Sequence, residues 1–359
     1  MNELQLSTHL YPLDEVFMTF IQCLLSHKDI QICLFWLSEI TSSGSNIDYI
    51  LKSIYLQFYA NSFNDLDLYI NNNLNHYKST NNPLYLYNII LNLLNIQSNP
   101  DSYLMYYSYQ NTKFPTKTYR KSKKNLLYPD YVSPLLIAIR NKDNTMIGYL
   151  LNVLIHEYSF NHIYEILQNY YYDTYNININ DLYITQFYKQ HESLFIIAII
   201  TRMRYSKRIK KIVFKDYKQP PINNIIITET KCYNLLKNKR LYQTHYFLGP
   251  HLYSRGELQE FKEKCYYNWE YYVRNTISWK LIFEQYNIAF VDKTPIFKST
   301  WDEDQFYIKY NMEFDEQSLD TQEKSIHDIC IILDPLEWYN KFHPNNENKL
   351  IENMKIMHI

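Results

Sequence analysis

Glycine is nearly missing. The 359 residues hold 4 glycines and only 4 alanines. No G-x-x-x-x-G-K-S/T and no G-x-G-x-x-G occurs, so the commonest phosphate-cradling loops are excluded. The same scarcity excludes collagen-like and Gly/Ser-linker chains. Arginine is rare too, with 8 residues, while Tyr reaches 38, Ile 42, Asn 37, Lys 28 and Phe 18. The abundant types have AT-rich codons and the scarce ones GC-rich codons. Most of the skew therefore describes a genome.

A large charge of one sign is also missing. Lys and Arg number 36, Asp and Glu 37, and the formal net charge is −1. No global field draws the chain to nucleic acid or to a membrane. The five cysteines (Cys23, Cys33, Cys232, Cys265, Cys330) are odd in number and widely spaced, a pattern of reduced thiols in a cytosol-like compartment. The most apolar run, 194–200, falls far short of the ~20 residues that cross a bilayer. The first residues lack a basic stretch followed by an apolar one, the mark of a secretory leader. The expectation is a soluble, cytoplasmic protein, in a host cytoplasm or viral factory, with no membrane contact.

What is present is helical spacing. Leu13, Val16, Phe17, Phe20 and Leu24 recur at the helical period, as do Ile30, Cys33, Leu37 and Ile40. Ile47, Ile50, Leu51, Ile54 and Phe58 do so again, and Leu84, Tyr87, Leu91 and Leu94 mark another helix after a polar 71–82 stretch. Further helices are predicted from Pro134 onward, over 147–154, 163–170 and about 194–212. In the C-terminal third, Ser254-Arg-Gly-Glu257 has the form of a capping box, and apolar spacing without Gly or Pro predicts one long helix over 257–285. Phe306, Ile308, Tyr310, Met312 and Phe314 alternate with polar or amphipathic residues, which predicts a strand. Segments 288–297 and 225–228 are further strand candidates, and Asp320 with Glu323 opens a predicted helix. The fold class is mainly α, with helical N-terminal and middle regions and a smaller α+β C-terminal domain. Composition divides the chain into a helical domain 1–110, a basic linker or loop 111–131, a helical domain 132–219, an α+β domain 220–345 and a flexible tail 346–359.

Two basic runs are candidate nucleic-acid contacts. The first holds Lys117, Arg120, Lys121, Lys123 and Lys124, and the second Arg202, Arg204, Lys207, Arg208, Lys210 and Lys211, each with aromatics interleaved. Cations grip phosphates and aromatics stack unpaired bases, a pairing that suits single strands. The competing readings are a solvated face and docking on acidic 299–337, which carries eleven Asp/Glu against two Lys. Aromatics crowd the predicted long helix on both faces, and Tyr266, Trp269, Tyr271 and Tyr272 are candidate partner contacts.

Metal and catalytic signals are weak. Cys232, His245, His251 and Cys265 lack the close ligand pair of a structural zinc site. The carboxylate groups Asp302-Glu303-Asp304 and Asp315-Glu316 read as solvated ends. No catalytic residue, metal or cofactor is assigned.

Three resemblances add to this. His27-Lys-Asp-Ile-Gln-Ile-Cys-Leu-Phe-Trp-Leu-Ser-Glu-Ile40, with the helix ending at Phe58, resembles the helical collar of clamp-loader-like AAA+ proteins. The ATPase motifs of that family are absent, so ATPase activity is not implied. Ser133-Pro-Leu-Leu-Ile-Ala138, with the apolar 147–151 segment, is similar to one ankyrin helix pair, but no second repeat follows. In composition and in the Leu34-Phe-Trp-Leu-Ser-Glu-Ile40 helix the chain resembles uncharacterised helical proteins of nucleocytoplasmic large DNA viruses. The function expected is a non-enzymatic adaptor that joins proteins in a viral assembly. The alternative is a single-stranded RNA- or DNA-binding component of a viral gene-expression or replication complex.

Overall fold

A computed structural model describes residues 5–61, 65–111, 132–175, 192–205, 213–218, 247–248, 268–310, 331–332 and 335–343. Within them the chain is mainly α-helical, with short strand pairs confined to the C-terminal region. The predicted strand at 225–228, the run 311–314 and the Ser254 capping box fall outside the described residues, as does the predicted helix over 320–333 apart from 331–332, which form a short strand instead.

The chain forms two compact units, each discontinuous in sequence. One joins Met1–Ile47 with Gln219–Leu333, the other Asp48–Lys218 with Asp334–Ile359.

In the first unit, α1 (Leu13–Leu25) packs on α2 (Ile30–Ser42). Asp29 starts α2 by accepting from Gln31 N at 2.7 Å, the usual duty of an N-cap acid. The segment before α1 is tied to α2 by a buried acid. Glu39 accepts from the Ser7 hydroxyl at 2.6 Å and meets His9 Nδ1 at 2.5 Å. Burial pulls the His9 imidazole down, but the hydrogen bond and charge of Glu39 outweigh it and raise its pKa. Leu6 and Leu10 of this segment enter a second core, described below.

That core belongs to a small α+β body over 268–310. It comprises α11 (Trp269–Val273), α12 (Ile277–Gln285), β2 (Ala289–Val291), β3 (Thr294–Ile296) and α13 (Thr300–Tyr310). A separate parallel pair joins β1 (Phe247–Leu248) to β4 (Ile331–Ile332). Leu6, Leu10, Trp269, Tyr272, Val273, Trp279, Phe283, Phe306 and Tyr310 fill the body's core. The backbone N–H of Leu6 donates to Tyr272 O at 2.9 Å, and the Trp279 indole donates to Thr8 O at 2.9 Å.

Three expectations fail here. The single long helix is broken, since α11 ends at Val273 and Thr276 caps α12 by accepting from Trp279 N at 3.4 Å. The 288–297 strand is a hairpin turning at Asp292 and Lys293, both in left-handed backbone (φ 46° and 72°). Such turns normally carry Asn-Gly or Asp-Gly, so Asp-Lys hid this one. The strand read from 306 to 314 is a helix as far as Tyr310. Ser299 caps it, accepting from Asp302 N at 3.2 Å while its hydroxyl donates to Asp302 Oδ2 at 2.7 Å. Phe306 and Tyr310, one turn apart, are buried, whereas Ile308 is exposed. The helical period prevails over the alternation.

The second unit is all helical among its described residues. It contains α3 (Ile47–Phe58, from Asp48), α4 (Leu66–Thr80), α5 (Leu84–Leu94), α6 (Asp101–Gln110), α7 (Val132–Asn141), α8 (Asn144–Glu157), α9 (Phe160–Tyr175), α10 (Glu192–Tyr205) and α14 (Pro335–Phe342). The polar 71–82 stretch is mostly α4. Leu66, Ile70 and Leu74 form its buried stripe, while Asn72 and Asn75 face outward. Helix α10 is buried from Leu194 through Met203: its 194–200 run is apolar on all sides, and Thr201 and Arg202 are buried with it. Helices α6 and α8 pack closely because Gly148 lacks a side chain. A Cβ there would lie 2.0 Å from Met105 O. No described helix is long and apolar enough to cross a membrane.

Helix ends show how the chain manages with so few glycines. After α1, α7 and α12, the residues His27 (φ 48°), Lys142 (φ 58°) and Asn287 (φ 52°) take the left-handed position. In each case the next N–H reaches back five residues: Lys28 to Cys23 O, Asp143 to Ala138 O and Ile288 to Phe283 O. These are Schellman closures with side chains where glycine is the usual occupant.

Candidate functional site

The basic candidates separate. Lys117, Arg120, Lys121, Lys123, Lys124, Lys207, Arg208, Lys210 and Lys211 lie outside the described residues. Arg202 and Arg204 are interior, contrary to the reading of a solvated basic face. Arg202 is 1% exposed and lies beside Tyr55 and Asp67. Burial raises the Asp67 carboxyl to about 6 against the opposing pull of the Arg202 charge. Arg204 Nη1 donates to Asn144 Oδ1 at 2.5 Å and lies 4.0 Å from Asp101 Oδ2. The aromatics of this run are also engaged. Phe214 stacks on Tyr69 at 4.0 Å between centroids, and Tyr217 is buried against Tyr87.

Arg204 belongs to a polar clasp. Asp101 Oδ1 accepts from Asn144 Nδ2 at 3.0 Å and from the Tyr339 hydroxyl at 2.8 Å, with His343 Nε2 at 3.5 Å. Beside it, Trp338 is fully buried against Tyr103 (4.6 Å) and Phe58 (5.6 Å). The clasp and the indole together fasten α14 to α6.

The aromatic candidates are divided as well. Tyr266 lies outside the described residues. Trp269 and Tyr272 are core residues, not partner contacts. Trp269 meets Trp279 edge-on at 5.0 Å and lies parallel to Phe306 at 6.3 Å. Tyr271 is half-buried, with the Arg274 guanidinium 3.4 Å above its ring. The break before α12 explains the reassignment: two short helices turn the aromatics of both apparent faces onto one core. Glu270 is buried among them. It accepts from the Tyr307 hydroxyl at 2.8 Å, and burial raises its carboxyl to about 7.

The outside of the same body carries apolar groups that the sequence candidates did not include. Ile277 and Leu281 are exposed one turn apart on α12, and Trp301 and Ile308 two turns apart on α13. In the hairpin, Ala289 pairs with Ile296 and Val291 with Thr294, and these four form its exposed face, while half-buried Phe290 packs on the core. Glu303 and Asp304 are exposed beside Trp301. Exposed apolar side chains at helical spacing look like core in a sequence, so only the structure separates them from Trp279, Phe283, Phe306 and Tyr310.

One further cavity lies in the second unit. A cleft of about 780 Å³ is lined by Tyr49, Tyr106, Tyr109, Tyr158, Phe160 and Glu192, among others. Among the described residues, no three His, Cys, Asp or Glu converge in a way that would hold a metal ion. No family model, curated protein or solved structure matches the chain.

Proposed function

We propose that the protein is a non-enzymatic adaptor that holds partner proteins in a multiprotein assembly, and that it does so through the small α+β body. The observation that supports this is the apolar side chains left outside a body whose core is already full. Trp301 is 66% exposed, Ile308 72% and Leu281 61%. Single exposed apolar residues are ordinary; several on three successive elements of one small body support reading it as the interaction region. Trp is also the residue type most enriched among the anchors of protein interfaces. The acids beside Trp301 favour a partner with a basic rim.

The described half of the second basic run favours protein partners over nucleic acid, because Arg202, Arg204, Phe214 and Tyr217 make internal contacts. A viral setting in a host cytoplasm is supported by the codon skew and by the resemblance carried by the Leu34–Ile40 helix.

The test is affinity purification from the native source with quantitative mass spectrometry, comparing the natural chain with Trp301→Glu and Leu281→Glu. Both substitutions are at exposed positions and should leave folding intact. Loss of a defined set of proteins supports the adaptor. Unchanged recovery of every protein by both variants rules this surface out.

A further inference from the structure

We propose that the tyrosine cleft of the second unit binds an alkylammonium group, either quaternary or methylated. The cleft forms where the end of α6 meets the end of α8 and the starts of α9 and α10. Tyr106 and Tyr109 come from α6, Tyr158 follows α8, Phe160 opens α9 and Glu192 opens α10. Tyr49, near the start of α3, completes the wall. Helix packing thus gathers five aromatic rings and one carboxylate around about 780 Å³. That volume is within the range of small-ligand pockets, roughly 300–1,000 Å³.

The lining decides the ligand class. Among its described lining residues the cleft holds no Lys, Arg or His. It supplies π faces, phenol oxygens and the Glu192 carboxylate, all attractive to a cation. The Tyr106 and Tyr109 rings lie nearly parallel, at 13°, with centroids 6.0 Å apart. An ammonium resting across them is within the ~6 Å reach of cation–π attraction to both. The Tyr106 phenol is raised by burial and by its Tyr49 and Tyr109 neighbours. The helix starts at the cleft would oppose a cation through their dipoles. Ser159 Oγ accepts from His162 N at 3.4 Å and Glu192 sits in the first turn of α10, and both soften that opposition.

Methyl groups strengthen the match. A methylated ammonium is weakly hydrated, so it gives up little water on entering an aromatic cleft, and aromatic cages are a known physical solution for such cations. The source is either a small molecule or a methylated lysine side chain. The inference stands apart from the adaptor reading, which concerns 268–310.

The test uses the full chain and two probes: choline, and a short neutral peptide with one trimethyllysine. Titration followed by calorimetry or NMR should show saturable binding of at least one, and which of them binds identifies the source. The neutral isostere of choline, 3,3-dimethylbutan-1-ol, should bind about tenfold more weakly. Tyr106→Leu and Glu192→Gln should each weaken the cation by roughly the same factor, with the far-ultraviolet spectrum unchanged. Three results would each overturn the proposal: no saturable binding of either probe, equal binding of the neutral isostere, or unchanged affinity in both variants.

Discussion

The Tyr307 hydroxyl donates to Oε1 of Glu270 at 2.8 Å, inside a core of tryptophans and phenylalanines. Oε2 of the same carboxylate is buried without a hydrogen-bond partner among the described residues. A carboxyl so placed is held in its neutral form, because desolvation penalises the charge.

The consequence is a pH-dependent stability. The folded pKa, about 7, lies above the ordinary value near 4.5. The contribution is therefore fully present below pH 4.5 and is lost as pH rises through 7. The difference amounts to ~3 kcal/mol between the two ends of that window. Urea unfolding of the natural chain should show this decline, and Glu270→Gln, which cannot ionise, should make it shallower, leaving the decline that the raised Asp67 and His9 contribute.

How much of this was visible in the sequence differs by region. Helices α1, α2, α3 and α5 could be located because each has one apolar stripe and a polar interruption at its ends. The small body was hidden by three local features. Thr276 continues an apolar spacing while acting as a cap, Asp292-Lys293 turns without glycine, and Phe306 and Tyr310 satisfy both the two-residue and the four-residue period. The candidate site was less legible still. Trp269 and Trp301 are both tryptophans in aromatic, helix-forming stretches, yet one is fully buried and the other 66% exposed. The cleft joins Tyr49 to Glu192, and no local pattern links residues so far apart.

Gly148 gives a prediction whose sign separates propensity from packing. In an exposed helix, Gly→Ala gains about 1 kcal/mol. Here the new Cβ would meet Met105 O at 2.0 Å and Ser108 Cβ at 2.8 Å. Backbone cannot move aside cheaply, so Gly148→Ala should cost about 1–3 kcal/mol. Thermal unfolding will show the sign.

Lys142 should respond in the opposite direction. It is exposed and holds a left-handed backbone at φ 58°. Lys142→Gly removes the Cβ strain and should raise stability by about 1 kcal/mol. Lys142→Val, branched at Cβ, should lower it by at least a similar amount. The shift in melting temperature checks both.

The fastening of α14 depends on one indole and one phenol. Trp338→Ala removes a fully buried side chain from between Phe58 and Tyr103 and should cost ~3–5 kcal/mol. Tyr339→Phe removes the hydroxyl that donates to the Asp101 carboxylate and accepts from Asn144 Nδ2 at 3.4 Å, and should cost ~1–3 kcal/mol. Hydrogen exchange of the 335–343 peptide should accelerate in both variants, and more in the first.

The apolar groups outside the small body should be covered by a partner. Hydroxyl-radical footprinting of the complex purified from its native source tests this most directly, with the isolated chain as reference. Trp301, Ile308 and Leu281 should be oxidised freely in the isolated chain and protected in the complex, while Trp269 should be protected in both. Equal oxidation of Trp301, Ile308 and Leu281 in the two states would contradict this.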